Sequence, residues 1–169
     1  MLGMGHLETC FFFFKEMLEY GVVPDNFTFP FVLKDCANVG DVGVGRDVHD
    51  HVVRTGWDKD VFVCAGVIDM YATWGEVGSA REVFGKVVEW EVVIWNAMMA
   101  GYGQNWCAAE CFGLCGEMVW SGVRQTVATL VTAISSCAEM SDLVHGRELH
   151  GYSWRQGFEF QNKVKTALV

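Results

Sequence analysis

The feature that most constrains the fold is an internal repeat, because the chain matches itself at an offset of 101 residues. The strongest match pairs Asp41, Gly45, Arg46 and His49 with Asp142, Gly146, Arg147 and His150. Weaker matches continue on both sides, from Phe11 with Phe112 to Gly56 with Gly157. A repeat of this kind predicts similar structural units stacked along the chain.

The long period divides into shorter units, since Tyr71 and Tyr102 occupy equivalent places 31 residues apart. The units are then about 35, 31 and 35 residues long, and each has the periodicity of two helices. In two successive units the helices are predicted at 61–73 and 77–87, and at 92–104 and 108–119. The tract 91–95 has some strand character, but its repeat partners favour the start of a helix. Helical hairpins of this size bury their apolar faces only against neighbours, so the sequence predicts an all-α solenoid with a concave binding surface.

Composition narrows the functional classes. With 51% hydrophobic residues the chain has ample material for a core. Its 12 Lys and Arg against 21 Asp and Glu give a net charge of -9, which opposes nonspecific attraction to phosphate. Seven cysteines without a C-x-x-C pair favour reduced, buried thiols. No apolar stretch approaches the roughly 20 residues of a membrane helix, and the N-terminus lacks the pattern of an organellar transit peptide.

Several segments of the sequence match the pattern of a known protein family. They include Phe14-Lys15-Glu16-Met17 with Gly21-Val22-Val23-Pro24-Asp25, Gly45-Arg46-Asp47-Val48-His49, Ala80-Arg81-Glu82-Val83-Phe84, Val92-Val93-Ile94-Trp95-Asn96-Ala97-Met98 and Gly146-Arg147-Glu148-Leu149-His150. In these the chain resembles plant pentatricopeptide repeat proteins of the subclass that alternates standard, long and short repeats. The resemblance implies a right-handed superhelical solenoid of helix-turn-helix repeats, similar to the tetratricopeptide fold, and a chain that is a piece of a longer array.

The resemblance also implies repeat boundaries within one solenoid domain. A partial standard repeat covers 1–25, a long repeat 26–60, a short repeat 61–91, a standard repeat 92–126 and a long repeat 127–161; a further short repeat starts at 162–169. At a turn where a glycine is expected, the chain has Trp106.

Proteins of this family read single-stranded RNA at about one base per helical hairpin, through a residue of the first helix and a residue that closes the repeat. The first-helix positions here are Pro30, Ala65, Asn96, Val131 and Thr166, and the closing positions are Asp25, Asp60, Glu91, Thr126 and Gln161. Asn96 with Thr126 is the best-equipped complete pair, and the asparagine implies a preference for pyrimidines. Ala65 offers no hydrogen-bonding atom in its side chain.

The implied function is sequence-specific binding of organellar RNA during RNA processing or C-to-U editing, in a mitochondrion or chloroplast, with editing-complex proteins as further partners. We expect no enzyme activity, because the H-x-E and P-C-x-x-C signature of zinc deaminases is missing from the sequence. We likewise expect no cofactor, no small-molecule substrate and no membrane partner. Two alternatives remain: a protein-binding scaffold, whose acidic groove would suit basic peptides, and a degenerate copy without function.

Two groups of side chains could be interpreted as metal or acid-base sites. Cys107, Cys111 and Cys115 share one face of a helix, but a thiolate site needs four convergent ligands. Packing is therefore the preferred interpretation. His49 and His150 recur at the same repeat position beside Arg46 and Arg147, which favours a structural role over chemistry.

Overall fold

In the computed structural model, which describes residues 9–139 and 143–155, every regular element is helical. The elements are α1 (Thr9–Glu19), α2 (Thr28–Val39), α3 (Val42–Thr55), a 3-10 helix (Trp57–Lys59), α4 (Val61–Thr73), α5 (Val77–Lys86), α6 (Val92–Gln104), α7 (Ala108–Trp120), α8 (Val127–Glu139) and α9 (Leu143–Arg155). The all-α prediction is confirmed, and no strand occurs in the described residues. The tract 91–95, ambiguous in sequence, leads into α6.

The four helices predicted in the middle of the chain are also confirmed. Helices α4 and α6 have the predicted bounds, and α5 and α7 each end within one residue of the predicted end. The division into standard, long and short repeats stays a prediction, including its last part at 162–169, which lies outside the described residues.

Side-chain caps fix the beginnings of two helices. The Asp41 carboxylate accepts a hydrogen bond from the Val44 amide at 3.1 Å, and the Asp60 carboxylate accepts from the Phe62 and Val63 amides at 2.9 and 3.0 Å. Each cap satisfies amides that have no partner within the helix, which stabilises its start by about 1 kcal/mol.

Helix ends depend on left-handed residues. Gly40 follows α2 with φ 76° and Gly56 follows α3 with φ 79°, a conformation that glycine adopts without strain. Trp106, between α6 and α7, has φ 60°, so a bulky side chain occupies a left-handed turn at which the family resemblance implies a glycine.

The chain forms two compact units, one ending at Glu89 and one beginning at Trp90. In the first unit α2 lies beside α4, while α3 packs on α2 and α5 packs on α4. The fully buried side chains at its centre include Phe29, Leu33, Ile68, Met70 and Phe84. Burial of each contributes about 1.5–3 kcal/mol, so this layer holds the first helices together.

In the second unit α6 lies beside α8, α7 packs on both, and α9 packs on α8. Its largest fully buried side chains are Trp95, Met98, Met99, Leu114 and Leu130. None of the described helices combines the length and hydropathy needed to cross a membrane.

Candidate nucleic-acid interface

The first helices of neighbouring hairpins lie side by side, α2 with α4 in the first unit and α6 with α8 in the second. The structure places Pro30 in α2, Ala65 in α4, Asn96 in α6 and Val131 in α8, and all four side chains are half-buried. The last three are each the fifth residue of their helix. Three of the predicted first-helix positions therefore occupy the same place in their helices, whereas Pro30 is the third residue of α2. Thr166 lies outside the described residues.

The closing residues lie at the starts of the first helices. Asp60, Glu91 and Thr126 immediately precede α4, α6 and α8. One carboxylate oxygen of Asp60 is occupied by the cap described above, whereas exposed Glu91 makes no side-chain cap. Gln161 lies outside the described residues.

Asp25 lies three residues before α2 and is exposed. Its Oδ1 atom accepts from the Thr28 hydroxyl and the Thr28 amide at 2.8 Å, and from the Phe27 amide at 3.1 Å. The hydrogen bond from the Thr28 side chain is the largest cause that lowers the pKa of Asp25, so the carboxylate stays ionised.

Asn96 and Thr126 are joined by hydrogen bonds through a third side chain. The Thr129 hydroxyl donates to Asn96 Oδ1 at 2.7 Å, and the hydroxyls of Thr129 and Thr126 are 3.0 Å apart. Asn96 and Thr126 are half-buried, whereas Thr129 is fully buried. The structure thus brings the best-equipped predicted pair together.

The other pairs are less complete. Pro30 and Ala65 have no donor or acceptor in their side chains. Ala65 lies in the first unit and Glu91 in the second. Val131 is apolar, and its partner Gln161 is not among the described residues.

Sequence reasoning did not single out Thr129 or three exposed aromatic side chains. Phe27, Phe31 and Phe62 are 73%, 69% and 61% exposed. Phe27 and Phe62 both lie two residues after a closing residue, and this recurrence was the available signal. Apolar type alone does not reveal exposure, because some phenylalanines of the chain, such as Phe29 and Phe84, are fully buried. Exposed aromatic faces are suited to stacking on nucleobases.

The recurring Gly-Arg-x-x-His pattern has a structural role in the first unit. The Arg46 guanidinium donates to both carboxylate oxygens of Glu76, at 2.8 and 3.0 Å, and holds the pKa of Glu76 below its usual value. His49 Nδ1 lies 3.0 Å from the Tyr71 hydroxyl, and burial lowers the pKa of His49. These contacts join α3 to α4 and the following turn, which agrees with the structural interpretation of His49.

The cysteine face of α7 packs against α6. Buried Cys111 and Cys115 approach the Met99 carbonyl oxygen and the Met99 sulfur at 3.8 and 3.4 Å. Packing is therefore confirmed for these two thiols. No cluster of three metal-ligating side chains occurs within the described ranges.

Helical hairpins whose first helices pack side by side, as α2 with α4 and α6 with α8 do, define a helical-repeat protein. A family model described as PPR repeat matches residues 93–123. The chain is 39% identical to the chloroplastic pentatricopeptide repeat-containing protein At2g02980 of Arabidopsis thaliana, over 94% of this chain and 26% of that protein. It is 34% identical to the chloroplastic At4g25270 of the same organism, over 98% of this chain and 31% of that protein.

Solved structures show the same fold. The maize pentatricopeptide repeat protein PPR10 matches 92% of this chain and 23% of its own chain, with a TM-score of 0.76 at 22% identity. A crystal structure of PPR10 in complex with an 18-nucleotide psaJ RNA element matches with a TM-score of 0.75 at the same identity. The chain is a pentatricopeptide repeat protein, homologous to the Arabidopsis proteins. It spans about a quarter to a third of the length of these two relatives.

Proposed function

We propose that this chain binds single-stranded RNA along its first helices, with Asn96 and Thr126 as its principal base-reading pair. The hydrogen-bonded arrangement of these two side chains carries the proposal. PPR10 forms its complex with RNA in the same fold, which supports an RNA partner here. In the relatives this stretch is part of a longer chain, and we place the function in an array of that kind.

The chemistry of the pair suits a base edge. Asn96 Oδ1 is occupied by Thr129, and no described residue accepts a hydrogen bond from Asn96 Nδ2. The amide therefore offers N–H donors to a carbonyl or ring nitrogen of a base. The half-buried position shields these bonds from competing water, which increases their value for discrimination.

Aromatic stacking supplies affinity that depends little on sequence. Phe62 lies at the start of α4, and Phe27 holds the equivalent place before α2. A base stacked on one of these rings gains about 1–3 kcal/mol. Phe62→Ala is then expected to weaken binding by at least about fivefold for every RNA sequence.

Phosphate contacts contribute little to this mode of binding. Lys34 pairs with Asp69 at 2.9 Å and Arg46 pairs with Glu76, and the net charge is -9. Each phosphate neutralised on a single strand adds about -0.7 to the slope of log affinity against log salt. We expect a slope no steeper than about -2, the value for about three phosphate contacts.

Fluorescence anisotropy with labelled 12-nucleotide RNAs of cytidine, uridine or adenosine tests the proposal. The pyrimidine RNAs are expected to bind more tightly than the adenosine RNA. Asn96→Ala should weaken pyrimidine binding by about fivefold, the value of one hydrogen bond. The matched control Asn38→Ala, which removes an exposed amide at the end of α2, should leave binding unchanged.

Absence of binding to all three RNAs at low salt contradicts the proposal. Binding of a labelled oligoarginine peptide in place of RNA identifies the acidic chain as a protein-binding scaffold instead.

The proposal extends to the site of action and the process. Several are named chloroplastic, which supports an organellar site of action, and we propose RNA processing or C-to-U editing as its purpose. Immunoprecipitation of the protein from purified chloroplasts and mitochondria, followed by sequencing of bound RNA, tests both. Recovery of nuclear-encoded transcripts alone would contradict an organellar role.

A further inference from the structure

A cleft of about 600 Å³ lies between α7 and α9, the second helices of two hairpins in the second unit. Its walls are apolar side chains of both helices, Phe112 and Val119 from α7 and Leu149 and Tyr152 from α9. Gln125, which follows α7, lines the cleft as well. Sites for small molecules have volumes of about 300–1,000 Å³, so the cleft has room for a ligand of that size.

Glycines keep this cleft open. Gly113, Gly116 and Gly151 line it, and a Cβ atom at any of the three would meet no described atom within 4 Å. Glycine weakens a helix relative to alanine, and no close approach of a neighbouring helix requires it here. The corresponding cleft of the first unit, between α3 and α5, is lined by no glycine and measures about 250 Å³. The larger volume therefore belongs to the α7–α9 cleft in particular.

Gln125 brings an unused hydrogen-bond acceptor to the cleft. Its side chain is buried, and its Nε2 donates to the Cys115 carbonyl oxygen at 3.1 Å. That bond fixes the orientation of the amide, because a carbonyl oxygen only accepts. Gln125 Oε1 is then buried without a donor among the described residues. A buried polar atom without a partner is destabilising, so an N–H or O–H group of a ligand would stabilise this site.

Two arginines give the cleft a positive charge that the chain as a whole lacks. Arg147 and Arg155 line it, about two turns apart on α9, against one carboxylate from Glu148. Both arginines are exposed, and neither forms an ion pair with a described residue. Because the net charge of the chain is -9, only the local arrangement of arginines attracts an anion here. A guanidinium binds an oxyanion through two parallel hydrogen bonds.

We propose that the α7–α9 cleft binds a small anionic amphiphile. Its apolar body lies between the walls, its oxyanion pairs with Arg147 or Arg155, and an N–H or O–H group donates to Gln125 Oε1. None of the residues that line the cleft is a first-helix or closing position. The inference therefore does not depend on the proposed RNA binding.

Three fluorescent probes test the chemistry of the ligand by saturation binding to the wild-type chain. 2-Anilinonaphthalene-6-sulfonate has rings, an anion and an N–H donor; its N-methyl derivative lacks the donor, and N-phenyl-2-naphthylamine lacks the anion. We expect one saturable site for the sulfonate and binding of the N-methyl derivative that is about fivefold weaker, the factor for one hydrogen bond. Equal affinities of the two sulfonates overturn the role of Gln125 Oε1, and the absence of a saturable site overturns the proposal.

Gly116→Leu locates the site, because a leucine side chain there would fill the cleft. It should remove saturable binding of the sulfonate. Gly78→Leu is the matched control, since Gly78 is an exposed glycine of α5 whose added Cβ also meets no described atom, and it should bind as the wild type does. Leucine favours a helix over glycine, so neither variant should melt below the wild type. Undiminished binding in Gly116→Leu overturns the proposal; Gly113→Leu replaces it if it does not fold.

The arginines are tested by the ratio of the affinities for the sulfonate and for N-phenyl-2-naphthylamine. Arg147→Gln with Arg155→Gln should lower this ratio about tenfold, the factor for a hydrogen bond to a charged group. Arg54→Gln with Lys59→Gln removes two exposed positive charges of the first unit and should leave the ratio unchanged. An unchanged ratio in the first double variant, or an equal fall in both, overturns the anion site. No RNA is present, so either failure leaves the proposed function untouched.

Discussion

Substitution of Gly45 by alanine tests how tightly α3 packs against α4. It is buried in α3, and a Cβ atom at this position would overlap the Trp74 ring and lie 2.8 Å from Met70 Sδ. The Trp74 ring cannot move away freely, because it contacts Tyr71 edge-on at 5.9 Å between ring centroids. Gly45→Ala therefore inserts a methyl group where two side chains already meet.

The expected change in the free energy of unfolding is the difference between two effects. Overpacking of a close contact costs about 1–3 kcal/mol. Alanine in a helix recovers about 0.5–1 kcal/mol relative to glycine. The middle of these ranges gives a net loss of about 1 kcal/mol, which corresponds to a fall in melting temperature of roughly 2–4 °C for a chain of this size.

Thermal and urea unfolding followed by circular dichroism measure this loss. Gly78→Ala is the matched control, because a Cβ there meets no atom within 4 Å, and it should stabilise the protein by about 0.5–1 kcal/mol. In the double variant Gly45→Ala with Trp74→Ala, the cost of the added methyl should largely disappear. Stabilisation by Gly45→Ala equal to that of Gly78→Ala would refute the packing argument.

Four further substitutions and treatments have defined outcomes. Trp106→Gly should raise the free energy of unfolding by about 0.5–1 kcal/mol, because it relieves a left-handed residue, and an unchanged urea midpoint would contradict this. Asp60→Ala should lower it by about 1 kcal/mol through loss of a helix cap, while Asp60→Asn should largely preserve it. Burial lowers the pKa of His49 in the folded protein. The stability that neutral His49 contributes is therefore fully present above the ordinary pKa of 6.5 and is lost as pH falls from that value toward the lower folded pKa. The melting temperature measured from pH 7.5 to 5 should depend less on pH in His49→Gln than in the wild type. Burial raises the pKa of Cys36 and Cys64 to about 11, so iodoacetamide at pH 8 should label half-exposed Cys107 before either of them, as read by peptide mass spectrometry.

The helices were predictable because local chemistry and tertiary packing agree there. Asp60 provides a cap at the start of α4, and the unit from Val61 onward has the length of a helical hairpin. The strongest repeat signal in the sequence, by contrast, came from residues that hold helices together. Asp41 caps α3, Gly45 allows close packing, Arg46 pairs with Glu76, and His49 contacts Tyr71. The internal sequence repeat therefore identified the helical-repeat fold more directly than the candidate RNA-binding residues.

The candidate site was only partly predictable, because its details depend on contacts across helices. Asn96 and Thr126 followed from the family resemblance, which implies the reading positions of each repeat. The hydrogen bond from Thr129 to Asn96 did not, since it joins residues 33 positions apart. The exposure of Phe62 was also hidden, because a phenylalanine at the start of a helix is as suited to a core as to a stacking surface.

The closing residues combine two physical tasks, and this limits how each can vary. Asp25, Asp60 and Thr126 all bond to groups at the start of the next helix, so replacing one alters helix stability together with any base it contacts. Glu91 makes no side-chain cap. We therefore expect Glu91→Ala to change stability by less than about 0.5 kcal/mol, in contrast to the loss at Asp60. If RNA selectivity changes in Glu91→Ala while the urea midpoint does not, base reading and helix capping are separable at that hairpin. At Asp60 the two effects should appear together.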